Sequence, residues 1–157
     1  MNKLLFLDLE ETVLDDFTLG FDARAMNIEK VRAFLEAERP ASVRLFSFAV
    51  QNDNDLADFR YYHEKWLSGL LGVQFDLSQA FTTEKLYVLC QQHHEVFDDE
   101  RECRLFHGKD YGFQRYVELS PEFCNCEVVL LDDMAQGTQA HYPQRGLTLR
   151  TVNVNQL

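Results

Sequence analysis

The sequence predicts an α/β protein: a three-layer, Rossmann-like parallel sheet with helices on both faces, in one domain spanning residues 1–157. Three observations predict it. The runs Leu4–Leu7 and Val128–Leu131 are almost wholly apolar, which suits strands buried on both faces rather than strands with one wet side. Such runs alternate with stretches whose apolar residues recur at helical spacing. The chain has 157 residues, 46% hydrophobic and 26% charged, with only 7 Gly and 3 Pro, so it fits one folded domain around one core.

Lys3 to Leu7 reads as the first strand. Asn27 to Glu36 spaces its apolar residues as a helix, with Asn27 as N-cap, and Arg39-Pro40 ends it. Val43 to Phe48 is a second strand. Asp55 to Leu71 is one long helix with Leu56, Phe59, Tyr62, Trp66 and Leu70 on roughly one face, stopped by Gly72. Phe81 fits a short strand, Thr83 to Val96 a helix, Phe97 to Glu100 an acidic loop, and Asp110 to Leu119 a helix closed by Ser120-Pro121. Glu127 to Leu131 is the clearest strand, and Leu147 to Val154 the last. The sequence shows no internal repeat or linker.

Fifteen Lys and Arg against 26 Asp and Glu leave a net charge of −11, which repels nucleic-acid backbones and anionic lipid heads. Neither nucleic acid nor membrane is therefore expected as a partner. A small phosphate ester stays compatible, because a divalent cation reverses the local field. Asp8 and Glu10 cut the N-terminal apolar run short of a signal segment, and no run approaches a membrane span, so a cytoplasmic location is expected. The 4 cysteines are unevenly spaced and read as reduced thiols. A zinc set would combine Cys124-x-Cys126 with Cys90 and His93 or His94, but it lacks the paired short spacings of a strong motif.

In parallel sheets, ligands bind beyond the carboxyl ends of the strands. The first strand runs into Asp8-Leu9-Glu10-Glu11-Thr12-Val13, the second reaches Ser47, and the third ends in Asp132-Asp133. Lys109 lies between the second and third, just before a predicted helix. Carboxylates on two neighbouring strands can share a hard cation, and Mg²⁺ suits a site of one or two carboxylates, water and substrate phosphate. A hydroxyl and an ammonium can then hold the remaining phosphate oxygens.

In this order the groups resemble the four motifs of the haloacid dehalogenase-like (HAD) superfamily. The first is Asp8-x-Glu10-x-Thr12, the second Ser47, the third Lys109 with Lys85 as competitor, and the fourth Asp132-Asp133, with Gly146-Leu147-Thr148-Leu149 resembling the family's terminal strand. The resemblance implies a Mg²⁺-dependent phosphatase in which Asp8 forms an aspartyl-phosphate. It implies Mg²⁺ held by Asp8, the Glu10 carbonyl and Asp132, with Asp133 acting directly or through water. Ser47 and Lys109 would bind the phosphoryl group, and Lys109 would also neutralise Asp8.

Glu10 stands where the family's phosphatases have an Asp that protonates the leaving group and then activates water. Its extra methylene displaces the carboxyl group, and general acid catalysis is sensitive to such displacement. A shifted backbone accommodates Glu10, or Glu11 substitutes, or the protein is a catalytically silent HAD-like module that binds phosphate or another protein. His107 is close enough to Lys109 in sequence to reach the site. The intervals Asp15–Asn27 and Phe48–His107 leave room for little or no cap domain. An open site of this kind is similar to family members acting on a phosphoprotein, or on a phosphorylated small molecule with a neighbouring subunit closing the site.

Overall fold

A computed structural model describes residues 2–157. Its elements are β1 (Asn2–Leu7), α1 (Ile28–Glu38), β2 (Ser42–Leu45), α2 (Asp53–Tyr62), α3 (Glu64–Leu71), α4 (Thr83–Gln92), α5 (Glu100–Leu119), β3 (Cys126–Asp132), β4 (Gln139–Tyr142) and β5 (Leu147–Asn153). The five strands form one sheet in the order β2-β1-β3-β5-β4. All pairings are parallel except that of β4 with β5. The fold is therefore α/β with a mostly parallel sheet. Among the described residues no helix is long and apolar enough to cross a membrane.

The period-2 alternation of strand side chains divides the core. Leu5 and Leu7 of β1 enter a cluster with Val31 and Leu35 of α1, Phe59 of α2, and Leu67 and Leu71 of α3. Phe6 enters a second cluster with Leu86 and Cys90 of α4 and Phe113, Tyr116 and Val117 of α5. Each cluster is closed by helices, which is why the central strands tolerate no polar face.

Register sets the site. Leu7 pairs with Leu45 on one side and Leu131 on the other, so β1, β2 and β3 finish at one level. Asp8, the loop carrying Ser47, and Asp132 are thereby brought to one edge of the sheet.

Several expectations are corrected. The second strand stops at Leu45, leaving Ser47 two residues beyond it in the following loop. The long helix is two helices broken at His63, whose buried ring hydrogen-bonds the Phe17 carbonyl through Nε2 at 3.2 Å instead of facing water. The buried stripe Phe59, Leu67, Leu71 runs through the break, so its periodicity conceals it. Phe81 lies in no strand, although its N–H donates to the Leu45 carbonyl at 3.0 Å. The helix from Thr83 ends at Gln92 rather than Val96.

Asn27 takes the N-cap position of α1 in left-handed geometry (φ 54°) but makes no side-chain cap; its Nδ2 donates to the Thr12 carbonyl at 3.0 Å. The largest difference is α5, which begins at Glu100, capped by Asp99, ten residues before the predicted start at Asp110. Gly108 (φ 68°, ψ −168°) kinks it, a conformation open to glycine, and the kink interrupts the helical period. The edge strand β4 has no counterpart among the predicted elements.

Candidate active site

Asp8 follows β1 and is 1% exposed; Asp132 closes β3 and is 0% exposed. Between them lies Thr12, also fully buried. Its hydroxyl donates to Asp8 Oδ2 at 2.9 Å and accepts the Asp133 N–H at 3.0 Å, so one side chain ties the two strand ends together. The other oxygen of Asp8 accepts from Lys109 Nζ at 3.0 Å, and the same ammonium stands 3.8 Å from Asp132 Oδ2. Thr12 belongs to the first motif, but the sequence pattern assigns it no role of its own.

Lys109 sits immediately after the Gly108 kink. Its neighbour Asp110 fixes it in place: Asp110 Oδ2 accepts from Thr138 Oγ1 at 2.6 Å, Thr151 Oγ1 at 2.8 Å and the Gln136 N–H at 3.1 Å. That carboxylate docks the second half of α5 onto β5. Lys109 also stands 4.8 Å from the centroid of the Phe48 ring, which faces it with π density. Lys85 is elsewhere, donating to the Ala80 carbonyl at 2.5 Å, so Lys109 is the lysine that meets Asp8.

Asp8, Asp132 and Asp133 each offer a carboxylate oxygen, and these oxygens lie within 4.8 Å of one another. Asp132 Oδ2 is buried and accepts no hydrogen bond. Burial, followed by the Asp8 charge, pushes the Asp132 carboxyl well above the carboxylate range. Burial also raises Asp8, partly offset by Lys109 and Thr12. Burial disfavours the Lys109 charge, but Asp8 and Asp132 outweigh it and hold the ammonium's pKa up. The cluster is short of positive charge, the condition in which a divalent cation is favoured.

No family model matches the chain, and no curated protein or solved structure matches it. The site is therefore read from its own groups.

Glu10 stands apart from the three aspartates: its Oε2 accepts the Phe17 N–H at 3.1 Å. Burial raises its pKa and that hydrogen bond opposes the rise. Glu10, Glu11, Ser47, Lys109 and Asp133 nevertheless line one cleft of about 440 Å³ with Asp8. Glu11 takes left-handed backbone geometry (φ 62°) at the turn. The Ser47 Oγ accepts the Ala49 N–H at 3.2 Å, leaving its proton available to an oxygen in the cleft.

Arg104 lines the same cleft, and sequence reasoning missed it because the first half of α5 was not read as helix. His107 does not reach the site; its Nε2 faces Cys90 Sγ at 3.5 Å. The combination of Cys124 and Cys126 with Cys90 and His93 or His94, which the sequence spacing disfavours, is not gathered either. Among the described residues, the groups of three able to hold a metal are Asp8, Asp132, Asp133 and a separate set, Cys90, Cys103, His107.

Proposed function

We propose that this chain is a HAD-type, Mg²⁺-dependent phosphohydrolase with a three-layer Rossmann-like architecture, acting through an aspartyl-phosphate on Asp8. The observation that carries the reading is the contact of Lys109 Nζ with Asp8 Oδ1 at 3.0 Å, beside the unpartnered Asp132 Oδ2. A lysine in that place counters the repulsion between an attacking carboxylate and a phosphate anion.

The donor set fits Mg²⁺, which takes oxygen ligands and keeps water and substrate phosphate in its remaining positions. Asp8, Asp132 and Asp133 would hold it, with the Glu10 carbonyl as a further oxygen. When bound, it supplies positive charge to the phosphoryl oxygens.

The chain's own residues then act in sequence. An Asp8 oxygen attacks phosphorus and the ester P–O bond breaks, while Glu10 gives its proton to the leaving oxygen. Ser47 and Lys109 hold the phosphoryl oxygens. In the second step Glu10 takes a proton from water, the water oxygen bonds to phosphorus, and the Asp8–phosphorus bond breaks to release phosphate. The raised pKa of Glu10 supports its carrying the proton into the first step. The substrate class is a phosphorylated small molecule or a phosphoprotein.

A second reading, a catalytically silent phosphate-binding or protein-interaction module, draws on one observation. The Glu10 carboxylate is already engaged by the Phe17 N–H, which competes with proton delivery. A panel of phosphate esters assayed with and without Mg²⁺, wild type beside Asp8→Asn, separates the two. Magnesium-dependent turnover that falls on the order of 10⁴-fold or more in the variant supports the enzyme. A folded, Mg²⁺-binding wild type that hydrolyses no ester supports the silent module.

A further inference from the structure

We propose that Cys90, Cys103, His107 and Glu95 form a buried zinc site separate from the aspartate cluster, with a structural role. Cys103 and His107 are four residues apart on α5, which puts both on one face of the helix. Cys90 lies near the end of α4, and Glu95 in the turn that follows. One ligand atom from each of Cys90, Cys103 and His107 lies within 4.8 Å of the others. The Cys90 Sγ to His107 Nε2 distance is 3.5 Å. Sulfur at ~2.3 Å and nitrogen at ~2.0 Å from a tetrahedral zinc stand about 3.5 Å apart, so this pair already has the spacing of two ligands.

Glu95 lies outside the group of three and would supply the fourth ligand by moving towards it. Its Oε1 is 3.9 Å from His107 Nε2, while its Oε2 accepts from Arg115 Nη2 at 2.7 Å. One oxygen is thus oriented by a guanidinium and the other is free for a metal, the arrangement in which outer groups aim a carboxylate ligand. Binding displaces both thiol protons to solvent. Two thiolates and one carboxylate against Zn²⁺ leave one negative charge, next to the Arg115 guanidinium that Glu95 shares with Glu118.

Burial makes the bland alternative costly. Cys90 is 0% exposed, Cys103 1% and His107 5%, and His107 Nε2 meets the Cys90 thiol, a weak hydrogen-bond partner. A buried imidazole whose polar neighbours are two weak thiol donors and one distant carboxylate is poorly satisfied. The ring centroids of Phe97, Phe106 and Tyr111 stand 4.9–5.5 Å from that of His107. With Glu95 drawn in, four protein ligands would leave no open position, the closed, structural kind of site. Such a site would stitch α4 to the first half of α5, the segment that carries Arg104 and leads through Gly108 into Lys109.

The test uses the whole protein, reduced and held in excess Mg²⁺ so that the aspartates are occupied. Zinc retained after gel filtration is measured, and Co²⁺ is titrated while sulfur-to-cobalt charge-transfer absorption is followed. About one zinc per chain is expected in the wild type and in Cys124→Ser, with loss in Cys103→Ser. Cobalt should show the charge-transfer bands in the wild type. Glu95→Gln should fold and weaken zinc about 10-fold or more. If Cys103→Ser fails to fold, the wild-type cobalt spectrum and Glu95→Gln decide. Cobalt binding without the sulfur bands, no retained zinc, or a Cys90–Cys103 disulfide in the reduced preparation would overturn the proposal.

Discussion

Two clusters of carboxylates and cations lie at the sheet, and they are built to opposite ends. Beside β1 and β5, Lys3 and Arg150 face Glu38 and Glu127: Lys3 Nζ is 2.6 Å from Glu38 Oε2, Arg150 Nε is 3.0 Å from Glu127 Oε1, and Arg150 also bonds Glu38. Two cations meet two anions, all partly open to water. In the cleft, Asp8, Asp132 and Asp133 share the single ammonium of Lys109, with Asp8 and Asp132 sealed from solvent.

The pKa shifts run in opposite directions for the same chemical group. Burial works against the Glu38 charge, but Arg150 and Lys3 outweigh it and hold that carboxyl below its ordinary range. At the candidate site, burial holds Asp8 above its range, and burial together with the Asp8 charge holds Asp132 above its own. The first cluster balances its own charge, whereas the second has more carboxylates than cations, the condition on which the proposed cation site rests.

The largest effect that sharpens this contrast is at Glu10. Glu10→Gln keeps the size of the side chain and removes its proton chemistry, so steady-state phosphate release should fall about 10²–10⁴-fold while Mg²⁺ affinity is unchanged. An undiminished rate would remove Glu10 from the mechanism and point to Glu11, which lines the same cleft.

The pH dependence of stability comes next. Asp8 and Asp132 have folded pKa values raised above the unfolded value of about 3.9, so the folded state binds more protons than the unfolded state over the range above it. Buried His63 and His107, with lowered pKa values, act in the opposite sense below about 7, so stability of the metal-free protein should fall as pH rises from about 7 towards 9, read as a declining melting temperature in chelator. Added Mg²⁺ should reduce that decline. A flat profile in chelator would break the contrast. The smallest effect is in the balanced cluster: Glu38→Gln should cost about 1 kcal/mol or less in denaturant unfolding and leave catalysis intact.

The parts of this site that are legible in the sequence are those that follow from strand ends. Asp8 and Asp132 each succeed a run so apolar that only a buried strand explains it, and ligands gather beyond such strands. Lys109 is harder to place, because the Gly108 kink breaks the helical period that would have put it inside α5. The same kink hides Arg104 and the Cys103–His107 pair, which lie on a half-helix between the acidic loop ending at Glu100 and the helix predicted from Asp110. The edge strand β4 is only four residues long and part-exposed, so it leaves no apolar run to read. His63 sits in an unbroken buried stripe and gives no sign of its bond to Phe17, although that residue's N–H holds Glu10.

Calorimetric titration of Mg²⁺ into the metal-free protein, wild type beside Asp132→Asn, bears most directly on the charge imbalance of the cleft. One saturable site in the wild type, lost in the variant even though the variant melts at a higher temperature in chelator, is the expected result. Binding that is absent from the wild type, or equal in both proteins, would contradict a cation site at Asp8 and Asp132.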